Sequence, residues 1–224
     1  MAKAGGTSWG EGMRRRGVLI AGGALLAAPS LARAAAVRDP ATLRFIPAAG
    51  LSVLDPHLST AYATRNHALM VWDTLYGLDR EFVPRPQMAE GQEVGDGGRL
   101  VTIRLREGLR FHDGSPVLAR DCIASIRRWA RRDPLGADLL ARLVAMDAPD
   151  DRTIRLRLTR SFPLLFEALG KATPPVCAIL PERLATATSP IEEITGSGPF
   201  RFLAEEHEPG VLAAYGRFEG YLPR

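Results

Sequence analysis

The chain has 224 residues, of which 46% are apolar and 24% are charged. These proportions are typical of a globular protein and exclude collagen, coiled coil and extensive disorder. The formal net charge is +4, but residues 1–36 hold five of the 29 basic residues and one of the 25 acidic ones, so 24 of each remain. Because nucleic-acid binding needs an excess of cations, this balance argues against a nucleic-acid partner.

The amino-terminal residues have the three parts of an export signal. Three arginines at 14–16 precede an uncharged run at 17–31, and small residues at 34–36 provide a cleavage site. The uncharged run is shorter than the roughly 20 residues that a membrane-spanning helix needs. We therefore predict a signal peptide over residues 1–36, of twin-arginine or general secretory type, and a periplasmic location.

Apolar spacing predicts interleaved helices and strands in the remainder of the chain. Alternating apolar and polar residues indicate strands, and apolar residues three and four apart indicate helices. In chain order the predicted elements are a strand at 43–46, a helix at 60–75, a turn at 94–98, a strand at 100–106, helices at 118–130 and 137–144, a strand at 153–158, a helix at 163–169 and a strand at 200–203. This order predicts the α/β class.

Two cysteines, Cys122 and Cys177, occur in the whole chain. Two cysteines in a chain of this length do not form a disulfide scaffold, although a single bridge is one alternative. The other alternative is two buried free thiols. The apolar helical spacing around Cys122 favours the second alternative.

A catalytic centre is weakly indicated at most. His112, Asp113 and Ser115 contain the residue types of a hydrolase, but a nucleophile must be presented on a strained turn and no Gly-x-Ser-x-Gly motif occurs. The Asp113-Gly114 pair is explained by a turn between a strand and a helix. We therefore predict no catalytic residues and no enzymatic activity.

Metal and cofactor motifs are equally weak. Metal sites need convergent ligands, and the four histidines are dispersed at 57, 67, 112 and 207 without the spacing of a zinc motif. No glycine-rich phosphate loop occurs. We predict neither a metal nor a cofactor.

Several short motifs occur together in one order along the chain. The longest is LREGLRFHDGSPV at 105–117, and shorter ones are LDP at 54–56, WDTLY at 72–76, PQMAE at 86–90 and GSGPF at 196–200. In order and spacing they resemble family 5 of the extracellular solute-binding proteins of ABC importers, the peptide, nickel and opine group. One departure is Leu118, where the family has a threonine that caps the following helix, so only the Asp121 half of the capping box remains.

The resemblance implies a fold and a function. The fold is a type II periplasmic-binding-protein lobe with mixed sheets and flanking helices, comprising residues 41–224 with a smaller subdomain at 61–189. Family members are about twice as long, so we expect a chain cut after its first lobe, with the second lobe absent. The implied function is a monomeric periplasmic receptor that delivers a peptide-like or related small solute to an inner-membrane ABC permease. The alternatives are an exported hydrolase and a truncated receptor without function.

The resemblance also suggests ligand-facing loops. One follows the Leu-Asp-Pro turn and contains Ser59, Tyr62 and Thr64. The other contains Lys171, Ala172 and Thr173. Lys171 is the only lysine after residue 36, so its cation is expected to pair with a ligand carboxylate, and Tyr62 is expected to stack or to donate a hydrogen bond. For each of them, an ordinary surface residue is the alternative.

Overall fold

The computed structural model describes residues 41–223, so the predicted signal peptide lies outside the described residues. The elements in chain order are α1 (Tyr62–Val71), β1 (Tyr76–Leu78), β2 (Pro84–Pro86), β3 (Ala89–Gly95), a 3-10 turn (Asp96–Gly98), β4 (Leu100–Leu105), α2 (Ala119–Ala130), α3 (Pro134–Arg142), β5 (Leu143–Asp150), β6 (Thr153–Leu158), α4 (Leu165–Gly170), α5 (Glu182–Ala185), β7 (Phe200–Glu208) and β8 (Leu212–Arg217). The predicted α/β class is confirmed.

The largest sheet has four strands in the order β3-β4-β6-β5, and each neighbouring pair is antiparallel. Alternation along the two central strands gives this sheet one buried face. The buried side chains are Val101, Ile103 and Leu105 from β4 and Ile154, Leu156 and Leu158 from β6. The predicted strands at 100–106 and 153–158 are therefore confirmed.

Helix α2 packs its apolar side into the same core. Cys122, Ile126 and Trp129 are buried, and the Trp129 indole Nε1 donates to the Pro175 carbonyl at 3.0 Å. Asp121 Oδ2 accepts a hydrogen bond from the Leu118 N–H at 2.8 Å, which is the half of the capping box that the sequence retains. The prediction of this helix is correct to within one residue.

A second apolar cluster lies where α1 meets the segments around residues 176–191. Ala68, Val71 and Trp72 pack there against Val176 and Leu180. Strands β7 and β8 form a separate two-stranded antiparallel sheet, and Phe202 and Tyr215 on these strands pack against this cluster. Together, residues 51–62 and 176–199 and strands β7 and β8 are called the base.

The prediction for α1 was wrong in the length of the helix. The helix ends at Val71 because Trp72 is extended and the Gly198 N–H binds the Val71 carbonyl at 2.8 Å. A Cβ atom on Gly196 would lie 1.9 Å from that carbonyl oxygen, so only glycine allows this approach. Leu69 of this helix is 40% exposed.

Other boundaries also differ from the predictions. Residues 43–46 form no strand, and Leu43, Phe45 and Ile46 are exposed, because an alternating pattern alone does not supply a hydrogen-bonded neighbour. Helix α3 begins earlier than predicted, because the Asp133 carboxylate caps its first turn by accepting from Leu135 N and Gly136 N. The helix then ends at Arg142, and residues 143 and 144 belong to strand β5.

The two cysteines are free thiols and both are buried, which confirms the favoured alternative. Burial raises the pKa of the Cys122 and Cys177 thiols, so the unreactive protonated form is stabilised. None of the helices in residues 41–223 has the length and hydropathy that a membrane crossing requires.

Candidate functional site

Asp55, in the Leu-Asp-Pro motif, lies at the centre of a buried polar network. Its two carboxylate oxygens accept hydrogen bonds from Arg128 Nη1 and Nη2 at 2.8 and 2.6 Å. The backbone N–H groups of Ile191 and His57 bind the same carboxylate at 3.1 and 3.0 Å. Burial alone would raise the pKa of Asp55, but these four hydrogen bonds outweigh it and hold the pKa below its usual value. The motif therefore builds the scaffold behind the loop that follows it.

His57 extends this network to a distant segment. Its Nε2 donates to the Ala178 carbonyl at 2.9 Å, while its Nδ1 is buried without a hydrogen-bond partner. Burial, together with the charge of Arg128, lowers the pKa of His57 to about 4. The ring is therefore neutral at pH 7, and it acts as a structural connector between residues 57 and 178.

The loop after the motif presents one of the predicted ligand-facing groups to solvent. Ser59 Oγ accepts from the Ala61 N–H at 3.1 Å, and Thr64 Oγ1 donates to the Val53 carbonyl at 2.8 Å. Thr64 is buried, whereas Tyr62 is 67% exposed. The loop borders an open depression of about 480 Å³, lined by Ser52, Val53, Leu54, Asp55, Leu58, Pro190, Ile191 and Glu192.

The second predicted loop holds its cation in an internal ion pair. Lys171 Nζ lies 2.7 Å from the Asp133 carboxylate and donates to the carbonyls of Thr173 and Pro175 at 2.7 and 2.9 Å. The Lys171 side chain is only 12% exposed. A ligand carboxylate would have to displace Asp133 from this cation, whereas Thr173 remains exposed.

His112, Asp113 and Ser115 do not assemble into a catalytic relay. His112 Nε2 donates to the Gly198 carbonyl at 2.9 Å, and its Nδ1 accepts from the Gly196 N–H at 3.4 Å. Ser115 Oγ is bonded to Asp113 Oδ1 at 2.6 Å rather than to the histidine. Burial lowers the pKa of His112, so its ring is neutral at pH 7. By binding the backbone at 196–198, this ring joins the motif at 105–117 to the motif at 196–200. Within residues 41–223 no three metal-ligating side chains come close enough to hold an ion.

Sequence reasoning missed Arg65 on helix α1. Its guanidinium carbon lies 4.7 Å from the centroid of the Tyr62 ring. The helical spacing of 62 and 65 could have revealed the pair, because residues three apart share one face of a helix.

Comparison with known proteins identifies the family. The sequence profile described as "Bacterial extracellular solute-binding proteins, family 5 Middle" matches residues 83–224. A probable peptide ABC transporter periplasmic-binding protein of Sinorhizobium fredii is 40% identical over 209 residues, which are 92% of this chain and 38% of that protein. The glutathione-binding protein of Escherichia coli is 28% identical over 154 residues, which are 66% of this chain and 29% of that protein.

Solved structures show the same fold. NikA of Brucella suis in complex with Fe(III)-EDTA superposes with a TM-score of 0.71 at 21% identity, covering 81% of this chain and 36% of that one. AgaA of A. tumefaciens R10 in complex with agropinic acid superposes with a TM-score of 0.65 at 26% identity, covering 76% and 34%. The chain thus spans roughly a third of the length of each of these proteins. The chain belongs to family 5 of the bacterial extracellular solute-binding proteins.

Proposed function

We propose that this chain is the substrate-binding component of an ABC importer, exported to the periplasm, where it binds a peptide-like or related small solute and delivers it to an inner-membrane permease. The observation that carries this proposal is the family match over residues 83–224, together with the 40% identical relative named as a probable peptide ABC transporter periplasmic-binding protein. The internal hydrogen bonds of His112 and Ser115 favour binding over hydrolysis.

The domain organisation supports the same proposal. The four-stranded sheet and its helices lie between β3 and α4, within the proposed subdomain at 61–189, whereas β7 and β8 follow it. In this arrangement residues 41–224 are the first lobe of a two-lobed receptor, and the solute is held between lobes. A two-lobed receptor signals that its ligand is bound by closing around it. One molecule of receptor can close in this way, so we propose a monomer.

Ser59, Tyr62 and Thr173 are the proposed solute contacts, because Tyr62 and Thr173 are exposed and Ser59, on the loop before α1, is only half-buried. We propose that Thr64 and Lys171 position the contacting segments and do not bind the solute themselves. Thr64 fixes the start of α1 through the Val53 carbonyl, and Lys171 fixes the loop at 173–175 through two carbonyls and Asp133.

Isothermal titration of the purified chain with a panel of di- and tripeptides and with glutathione tests the proposal. Thermal unfolding provides a second readout, because binding raises the unfolding midpoint as the ligand concentration rises above the dissociation constant. Tyr62→Ala is expected to weaken peptide binding. Arg160→Gln, a change at an exposed residue after β6, is the matched control and leaves binding unchanged.

Two results would contradict the proposal. Absence of binding by the whole panel supports the truncated receptor without function. Cleavage of the peptides, detected by mass spectrometry and lost in Ser115→Ala, supports the hydrolase instead.

A further inference from the structure

Helix α1 has one face covered by the protein and one that the described residues leave partly open. Thr64, His67, Ala68 and Val71 are its buried residues. The open face carries side chains at positions i, i+3, i+4 and i+7, a spacing that places them on one side of a helix. These side chains are Tyr62 and Leu69, which are exposed, and Arg65 and Asn66, which are half-buried.

Arg65 is held in place on this face while its charge is left unpaired. Its guanidinium stacks over the Tyr62 ring at 4.7 Å, and its Nε and Nη2 donate to Asn66 Oδ1 at 3.1 and 2.8 Å. Both neighbours are uncharged. Within residues 41–223 no carboxylate forms an ion pair with Arg65, and its Nη1 makes no hydrogen bond there.

Lys171 provides the contrast. It is the cation that the sequence suggested for a ligand carboxylate, but Asp133 neutralises it at 2.7 Å. Arg65 lies three residues after Tyr62 in the proposed solute-contacting loop and helix, and it keeps its charge available. A planar guanidinium also binds a carboxylate through two parallel N–H groups, which an ammonium does not do.

We propose that Arg65, supported by the Tyr62 ring and by Asn66, binds a free carboxylate of the solute. This inference rests on the proposed function and narrows it to solutes that carry an unblocked carboxylate, such as a peptide with a free carboxyl terminus. The Asn66 side-chain oxygen orients the guanidinium, and the ring beneath it stabilises the cation without neutralising it.

The test compares trialanine with trialanine amide, in which the terminal carboxylate is replaced by an uncharged carboxamide. Titration calorimetry gives both dissociation constants, and ¹⁵N nuclear magnetic resonance follows the Arg65 Nε–H signal during the same titration. Trialanine is expected to bind about tenfold more tightly than its amide, the range of a charge-assisted hydrogen-bonded pair, and to shift the Arg65 signal.

Variants assign the discrimination to this side chain. Arg65→Gln is expected to bind both peptides equally, at the affinity of the amide, and Arg65→Lys to keep part of the preference because it retains the charge. Arg160→Gln, the control, keeps the whole preference. Because Arg65 is only half-buried and its partners Tyr62 and Asn66 lie on the same helix, circular dichroism and the unfolding midpoint of each variant should match those of the parent chain.

The outcomes separate this inference from the function on which it rests. If both peptides bind the parent chain equally, or if Arg65→Gln keeps the preference for trialanine, the carboxylate site is wrong while solute binding stands. If neither the two peptides nor the wider panel of peptides and glutathione binds, the proposed function fails and the inference fails with it.

Discussion

The four-stranded sheet and the base are held together by different means. The sheet is stabilised by backbone ladders between strands and by apolar side chains that alternate along β4 and β6. The base is connected by polar side chains that bind distant backbone groups. Asp55 binds the Ile191 N–H across 136 residues, and His57 binds the Ala178 carbonyl across 121. The comparison shows that the two central strands of the sheet follow from a local pattern, while buried polar contacts between distant residues join the segments of the base.

The largest effect is expected when the cation of the buried ion pair between Asp55 and Arg128 is removed. Arg128→Met leaves the Asp55 carboxylate buried without its partner, which is expected to lower the free energy of unfolding by about 3–5 kcal/mol. Urea unfolding followed by tryptophan fluorescence measures the change.

Arg120→Met is the matched control on the same helix. Its ion pair with Glu182 is 3.5 Å long and solvent-exposed on both sides, so the expected loss is below about 1 kcal/mol. Equal losses in the two variants would show that the base does not depend on the buried pair.

A smaller effect is expected at Lys171→Met. This change leaves Asp133 buried, but that carboxylate keeps hydrogen bonds from Leu135 N and Gly136 N at the start of α3. We expect a loss of about 2–3 kcal/mol in the free energy of unfolding, measured by the same urea titration. Thr173→Ala, which keeps the carbonyl that Lys171 binds, should change stability by less than about 0.5 kcal/mol. A Lys171→Met chain as stable as the parent would show that this ion pair is dispensable.

Acidification is expected to weaken the contact of α1 with the base by protonating His67, a buried histidine of α1 that contacts Phe202 and Tyr215 on β7 and β8. Burial, with a lesser effect of His207, lowers the pKa of His67 to about 4, whereas the ordinary histidine value is 6.5. The unfolded chain therefore binds a proton more readily, and stability falls as the pH drops from 6.5 toward 4. For His67 alone the loss is about 2 kcal/mol at pH 5 relative to pH 7.5.

Unfolding at the two pH values in the parent and in His67→Phe measures this contribution. The other titrating groups are common to both chains, so the difference between their pH dependences isolates His67. The interpretation would be wrong if His67→Phe lost as much stability on acidification as the parent.

The smallest expected effect concerns the contact between α2 and α5. Asp121 accepts from the Leu118 N–H at 2.8 Å and from the Glu182 N–H at 2.7 Å. Asp121→Ala removes both and is expected to cost about 1 kcal/mol, within the range for lost helix caps. Thermal unfolding by circular dichroism detects it, and an unchanged midpoint would show that the cap contributes nothing.

The elements predicted correctly are those whose signal lies within the element. Strands β4 and β6 alternate over six residues, and α2 has a continuous apolar stripe. Strand β2 was missed because Pro84 and Pro86 argue against a strand, although an edge position tolerates them. Strand β5 was missed because Leu143 and Val144 continue the helical spacing of α3.

The site was less predictable because its contacts join distant residues. Lys171 was singled out as an isolated cation, but its partner Asp133 lies 38 positions earlier and nothing in the sequence pairs them. Residue charge alone does not distinguish a neutralised cation from an available one. Arg65 carries the same charge as Lys171. Only its helical spacing from Tyr62 could have indicated it, rather than Lys171, as the cation that binds a ligand carboxylate.

The long separations within the base have a consequence for the order of folding. Contacts between residues close in sequence form faster than those that must close a long loop. The strands between β3 and β6 all lie within 70 residues, whereas one of the two backbone donors of the Asp55 carboxylate is at residue 191. During refolding, pulse-labelled amides of β4 and β6 should therefore gain protection from hydrogen exchange before the Ile191 amide, and the surface that we assign to the solute would be the last to take shape.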